Sequence, residues 1–150
     1  MKPMQERLSI VLPTYNECEN IIPLLNALLE LDQPDELEVL IVDDDSNDGT
    51  HELVKGFAQK DSRIRLIRRV GRAGLASAIK EGFLNATGHF AVVMDADGQH
   101  RPQDILMAVR KLKEERLDLV AGSRFLNDAK IRGLSRRRTS GSSIANYLAG

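Results

Sequence analysis

Cysteine is almost absent from this chain of 150 residues: Cys18 stands alone, which excludes an intramolecular disulfide and fits a reducing compartment. No apolar run approaches the roughly 18 residues that a membrane-crossing helix needs. The N-terminus, MKPMQERLSIVLP, places Glu6 and Arg7 before an apolar run too short for the core of a secretory signal. An excess of charge is lacking too. The 21 basic and 22 acidic side chains leave a net charge of −1, so global charge points to neither nucleic acid nor membrane. Familiar catalytic signatures are also missing. GRAGLASA supplies only Gly71 and Gly74, short of G-x-G-x-x-G, and no G-x-x-x-x-G-K-[ST] occurs. Gly133-Leu134-Ser135 does not complete a nucleophile elbow. His51, His89 and His100 share no metal-ligand spacing with one another or with Cys18, and each reads as structural or solvated.

What is present is an alternation. A composition 42% hydrophobic and 29% charged suits one globular domain. Short β-rich runs fall at Leu8–Leu12, Leu37–Val42, Ile64–Ile67, His89–Met94 and Leu117–Ala121. Between them lie stretches with helical spacing, such as Ile21, Leu24, Leu25, Leu28 and then Ile105, Val109, Leu112. Strands alternating with helices predict βαβ units, an α/β class and a mostly parallel sheet with right-handed crossovers. Asp48-Gly49-Thr50 and Pro102 with Asp104 are expected to open the second and fourth helices. Residues 127–143, rich in Arg, Ser and Gly, read as a flexible stretch. SSIANYLAG opens a helix with no stop signal, so the chain is expected to be the N-terminal portion of something longer.

Ligands of open parallel sheets bind beyond the carboxyl ends of the strands. There this sequence deposits Pro13-Thr14-Tyr15-Asn16-Glu17, Asp43-Asp44-Asp45-Ser46, Asp95-Ala96-Asp97-Gly98-Gln99-His100 and Gly122-Ser123-Arg124. The third set is the oddest, because the apolar run FAVVM breaks directly into two aspartates. At ~3.3 Å per residue, Asp95 and Asp97 would project to one side, roughly 6–7 Å apart along the strand. Two carboxylates and the Gln99 amide make a hard oxygen set, suited to Mg²⁺ or Mn²⁺ carrying a diphosphate rather than to zinc. The bland alternative is a simple Asp97-Gly98 turn with Asp95 capping it. Asp45 and Asp48 have a bland reading as helix caps, but Asp43 and Asp44 do not. A carboxylate there can accept from a nucleobase N–H or a ribose hydroxyl. Tyr15 offers a ring for stacking a base, or is merely a partly buried loop tyrosine.

PTYNE, VDDDSNDGT, GLASAIKEGF, MDADGQHRP and AGSRF, in this order and spacing, resemble family 2 glycosyltransferases of the GT-A fold. The likeness is to the dolichyl- or polyprenyl-phosphate mannosyl- and glucosyltransferases, and it runs from Leu8 to Ala149. It implies a Rossmann-like three-layer sandwich, with residues 1–150 forming the N-terminal, nucleotide-sugar-binding part of a GT-A domain. By position it assigns Pro13, Tyr15, Glu17, Val42 and Asp44 to the donor nucleoside, with Ala96 packed beside the nucleotide. It makes Asp95 and Asp97, with Gln99, the D-x-D metal set that binds the diphosphate, and Asp97 and Arg124 catalytic. Arg124, Arg138 and Ser142 match positions near phosphate, the last two near that of the acceptor.

The implied partners are GDP-mannose or UDP-glucose, a polyprenyl or dolichyl phosphate and a membrane surface, with no nucleic acid. The implied location is the cytoplasmic side of a membrane, peripheral or anchored through a region beyond Gly150. The implied reaction is inverting transfer, in which a lipid-phosphate oxygen attacks the anomeric carbon and expels a nucleoside diphosphate. Asp45 stands where Gly is frequent in this family, Gly98 where the mannosyl enzymes carry Leu, and Arg72 in the place of a lysine.

Three rivals are weighed against it. A phosphoacceptor receiver domain would carry an acid pair after the first strand, where this chain has PTYNE. A nucleotidyltransferase would carry a Gly- and basic-rich loop there. A non-catalytic nucleotide- and metal-binding fragment is consistent with the same site residues.

Overall fold

The computed structural model describes residues 6–31 and 36–122. Four strands and four helices alternate: β1 (Arg7–Thr14), α1 (Ile21–Leu29), β2 (Glu36–Asp43), α2 (Thr50–Ala58), β3 (Ile64–Arg68), α3 (Leu75–Asn85), β4 (Phe90–Val93) and α4 (Pro102–Glu114). The sheet order is β3-β2-β1-β4, and every pairing is parallel. The chain steps outward from β1 to β3, then returns past β1 to lay down β4. That reversal is a topological switch point, and sheets of this kind take their ligands outside the carboxyl ends of the strands beside it, here β1 and β4.

The period-2 rule divides the core between the two faces. Leu8, Ile10 and Leu12 of β1 join Val39 and Ile41 of β2 beneath α1, α2 and α4, where Leu25, Leu28, Val54 and Ile105 complete the cluster. Val11, Leu40 and Val42 point the opposite way, beneath α3 and its Ala78. The result is a three-layer α/β sandwich. α3 lies so close to β1 that a Cβ placed on Gly82 would stand 2.2 Å from a methyl of Val11. Glycine is the residue that admits this approach.

Two expectations need correction. Leu117–Ala121 forms no strand: Asp118 interrupts the apolar run, and Leu119 is 80% exposed with no neighbouring strand to pair with among the described residues. The apolar run that reads as a buried strand at His89–Met94 is covered less than β1 and β2 are. It lies at the edge of the described sheet, with Ala91 and Val93 exposed. The helix openings hold in modified form. Gly49, in the left-handed region at φ 96°, is the N-cap of α2, while Asp48 accepts from both the amide and the hydroxyl of Thr50. Pro102 opens α4 as expected.

Candidate donor-binding site

At the carboxyl end of β1 the chain enters a loop held by side chains from the β2–α2 connection. Ser46 Oγ accepts from the amide of Asn16 (2.9 Å), Thr50 Oγ1 from that of Glu17 (2.9 Å), and Asp48 Oδ2 from that of Cys18 (3.0 Å). The Thr50 hydroxyl above all, with burial opposing and the Cys18 and Thr50 amides adding, holds the Asp48 carboxyl well below its ordinary value. The same carboxylate raises the Cys18 thiol. Tyr15, at the head of this loop, leaves 60% of its surface exposed.

The three consecutive acids after β2 have three different surroundings. Asp43 is fully buried; it accepts from Thr14 Oγ1 at 3.1 Å, from the Ser46 amide at 3.0 Å and from Ser46 Oγ at 2.5 Å. Its work is to tie the ends of β1 and β2 together. Asp44 Oδ1 accepts from Arg69 at 2.7 Å and its Oδ2 from the Gly74 amide at 2.8 Å. Asp45, in the left-handed region at φ 57°, pairs with Arg68 at the surface, 2.6 Å apart.

The β4 acids stand apart from these networks. β1 lies between β2 and β4, so at 4.7–4.9 Å per strand spacing the two acid groups face each other across roughly 10 Å. Asp97 Oδ1 accepts from the backbone amide of Gln99 (3.0 Å), and Gly98 at φ 74° completes the turn. The turn of the bland reading forms at Asp97, while Asp95 has the His100 imidazole beside it, Nδ1 lying 4.0 Å from Oδ2. The turn uses one lone pair of one oxygen and leaves the rest of that carboxylate open to a ligand. Neither acid is paired with Lys or Arg among the described residues, and Asp95 leaves 47% of its side chain exposed.

Of the remaining candidates, Glu17 is half-buried and its Oε2 accepts from Asn20, while Pro13 is half-buried in β1 opposite Val42. Val42 and Ala96 have their side chains in the hydrophobic core, one on each face of the sheet. Gln99 is half-buried beside the turn. Arg124, Arg138 and Ser142 lie outside the described residues. The sequence reading overlooked Arg69, which is 2% exposed and reaches Asp44; a basic residue at the end of a short strand carries no signal of burial.

No group of three or more His, Cys, Asp and Glu converges on one point among the described residues. The donor chemistry is therefore two carboxylates with the Gln99 amide close by in sequence. That set fits a hard divalent cation that takes further oxygens from phosphate and water; it does not fit a closed all-protein cage.

A doubly wound parallel sheet with acids at its switch point defines an α/β domain of the kind that takes ligands beyond the carboxyl ends of its strands. The chain belongs to glycosyl transferase family 2, whose family model matches residues 9–148. It is 38% identical over 125 residues to the dolichol-phosphate mannosyltransferase of Pyrococcus furiosus, covering 83% of this chain and 35% of that protein. It is 35% identical over 150 residues to the polyprenol monophosphomannose synthase of Mycolicibacterium smegmatis, covering 97% of this chain and 55% of that protein. Among solved structures, the mannosyltransferase PcManGT of Pyrobaculum calidifontis, in complex with GDP-Man and Mn²⁺, superposes with a TM-score of 0.63 at 34% identity. That match covers 72% of this chain and 32% of the other, and the shared fold is GT-A. The chain thus spans between about a third and just over half the length of these curated relatives.

Proposed function

We propose that residues 1–150 are the donor-binding part of a metal-dependent, inverting glycosyltransferase that moves mannose from a nucleotide-sugar to a polyprenyl phosphate. The observation that carries this reading is the pair Asp95 and Asp97, unpaired with Lys or Arg among the described residues, at the switch point of the sheet. Two carboxylates without a cation repel each other, and a divalent ion bound to a diphosphate removes that repulsion. Membership of the family and likeness to a mannosyltransferase holding GDP-Man and Mn²⁺ support the same assignment.

In this reading Asp95 and Asp97 hold Mg²⁺ or Mn²⁺, with Gln99 beside them. When bound, the ion supplies neutralisation of the charge that develops on the departing nucleoside diphosphate. Tyr15 stacks on the base, Asp44 accepts from the nucleoside, and Glu17 and Pro13 shape the loop around it. The acceptor phosphate is anionic near neutral pH and attacks the anomeric carbon without a strong general base. Arg124, Arg138 and Ser142 are assigned to phosphate by sequence position, and Arg124 adds a fixed positive charge for the leaving group. No helix among the described residues is long and apolar enough to cross a membrane. Contact with the membrane falls, on this reading, to the arginine-rich residues 127–143 and to the lipid acceptor itself.

Calorimetric titration of GDP and UDP, each with and without Mn²⁺, tests the proposal on this chain and on Asp97→Asn. Metal-dependent binding of one nucleotide, lost in the variant, is the expected result, and GDP is the expected base. Metal-independent binding that survives Asp97→Asn would overturn the metal assignment.

A further inference from the structure

Arg69 is among the most deeply buried side chains of the molecule, 2% exposed, and it is an arginine. It follows directly on β3, with its own amide donating to the carbonyl of Asp43 at 2.8 Å. Its guanidinium gathers four groups from separate parts of the chain. Nη1 donates to Asp44 Oδ1 (2.7 Å) and to the Gly74 carbonyl (3.3 Å), and Nη2 donates to Ser77 Oγ (2.5 Å). Nε faces Glu81 Oε2 at 3.3 Å, and Glu81 in turn pairs with Arg72 at 3.1 Å. Asp44 closes the ring by accepting from the Gly74 amide. One arginine therefore joins the end of β2 to the first turn of α3.

Burying charges in this way is an expensive means of packing, since apolar side chains of similar volume generally do as well or better. What the arrangement supplies is placement. Each Asp44 oxygen accepts one hydrogen bond from the α3 side, from Arg69 or from Gly74, which fixes the plane of the carboxylate. One further lone pair on each oxygen remains for a ligand. Arg69 has almost no exposed surface and so does not itself meet a nucleotide.

We propose that Arg69 is a positioning residue for nucleoside recognition. It acts through Asp44, which it holds in the orientation that accepts from the base or ribose. This rests on the reading of Asp44 as a nucleoside contact, and the test separates the two.

Titrations of GDP, UDP and inorganic pyrophosphate, all with Mn²⁺, are made on the whole chain, on Asp44→Asn, on Arg69→Met and on the double variant. Arg69→Met is expected to weaken the preferred nucleotide about tenfold or more and to leave pyrophosphate within about twofold. On the Asp44→Asn background the same change is expected to have little further effect, because the residues act as one unit. Arg69→Lys, which keeps the charge without the planar fork, is expected to restore part of the affinity. If Arg69→Met does not fold, Arg69→Lys closes the same cycle with Asp44→Asn. Equal losses for nucleotide and pyrophosphate, or effects that multiply in the double variant, would overturn the positioning role and leave Asp44 as a contact. Wild-type nucleotide affinity in Asp44→Asn would instead overturn the nucleoside reading of Asp44, and the proposal for Arg69 with it.

Discussion

Two clusters of aspartate stand at the same edge of one sheet, and the protein treats them in opposite ways. After β2, Asp43 is saturated by Thr14 and Ser46, Asp44 is held by Arg69 and Gly74 with a lone pair left on each oxygen, and Asp45 pairs with Arg68. After β4, among the described residues Asp95 has only His100 at 4.0 Å, and Asp97 accepts one backbone amide. A carboxylate already supplied with donors contributes to the fold. One that lacks them stays open to a cation. The difference separates acids that the fold holds in place, Asp44 among them, from acids left open to a cation.

The largest effect is expected from breaking the saturated cluster at its buried end. Asp43→Ala strands the donors of Thr14 and Ser46 in a fully buried position. Each lost partner costs about 1–3 kcal/mol, and the donors are coupled, so a total near 3 kcal/mol is expected. Urea denaturation would show it as a lower midpoint at unchanged slope. A loss under about 1 kcal/mol would mean that water replaces the carboxylate and that the loops do not depend on it.

The converse change falls on the unsaturated cluster. Asp97→Asn retains an acceptor for the Gln99 amide, so its stability is expected to stay within about 0.5 kcal/mol of the parent. Its metal-dependent nucleotide affinity is expected to fall by at least tenfold, and chelation of Mn²⁺ should act on the parent in the same way. A variant that loses stability but keeps its affinity would reverse the comparison and make β4's acids part of the scaffold.

Glu38 extends the comparison to the opposite end of the strands. Burial pushes its carboxyl up, but hydrogen bonds from Ser9, Thr87 and Arg65 outweigh that and leave it below its ordinary value. A carboxyl depressed by folding stabilises above its unfolded value, and the gain is lost as pH falls through the folded one. Stability is therefore expected to decline as pH drops below about 4.5, its ordinary value. Thermal melts across that window should show a shallower decline for Glu38→Gln than for the parent. Identical slopes would show that other carboxylates carry the acid sensitivity.

How far these differences were legible in the sequence depends on which pattern carried them. The apolar runs of β1 and β2 and the helical spacing of α1 predict the parallel sheet, because residues buried on both faces leave long apolar words. Leu117–Ala121 has a similar composition yet forms no strand, since a strand also needs a partner and sequence does not say where one lies. The acids were legible as a group at one edge. Their division into saturated and unsaturated was not, because Asp44 meets Arg69 across 25 residues and Asp43 meets Thr14 across 29. Such pairings are products of the fold, and the triple Asp43-Asp44-Asp45 reads the same whichever of the three is buried.

The smallest effect isolates the one member of the saturated cluster that lies at the surface. Asp45 pairs with Arg68 2.6 Å away, with 35% and 45% of the two side chains exposed. Water screens such a pair, and exposed pairs contribute about 0.2–1 kcal/mol. Asp45 also sits at φ 57°, where a glycine is free of the strain that an L side chain carries. Asp45→Gly therefore exchanges a weak ion pair for relief of backbone strain, while it loosens the unfolded chain. The net change in stability is expected to lie within about 0.5 kcal/mol of zero. Nucleotide affinity is expected to hold, since neither Asp44 nor Asp97 loses a partner. A loss of affinity in Asp45→Gly without a loss of stability would place the Asp45–Arg68 pair, beside Asp44, among the groups that meet the donor, and would leave Asp43 as the one acid of the three that serves the fold alone.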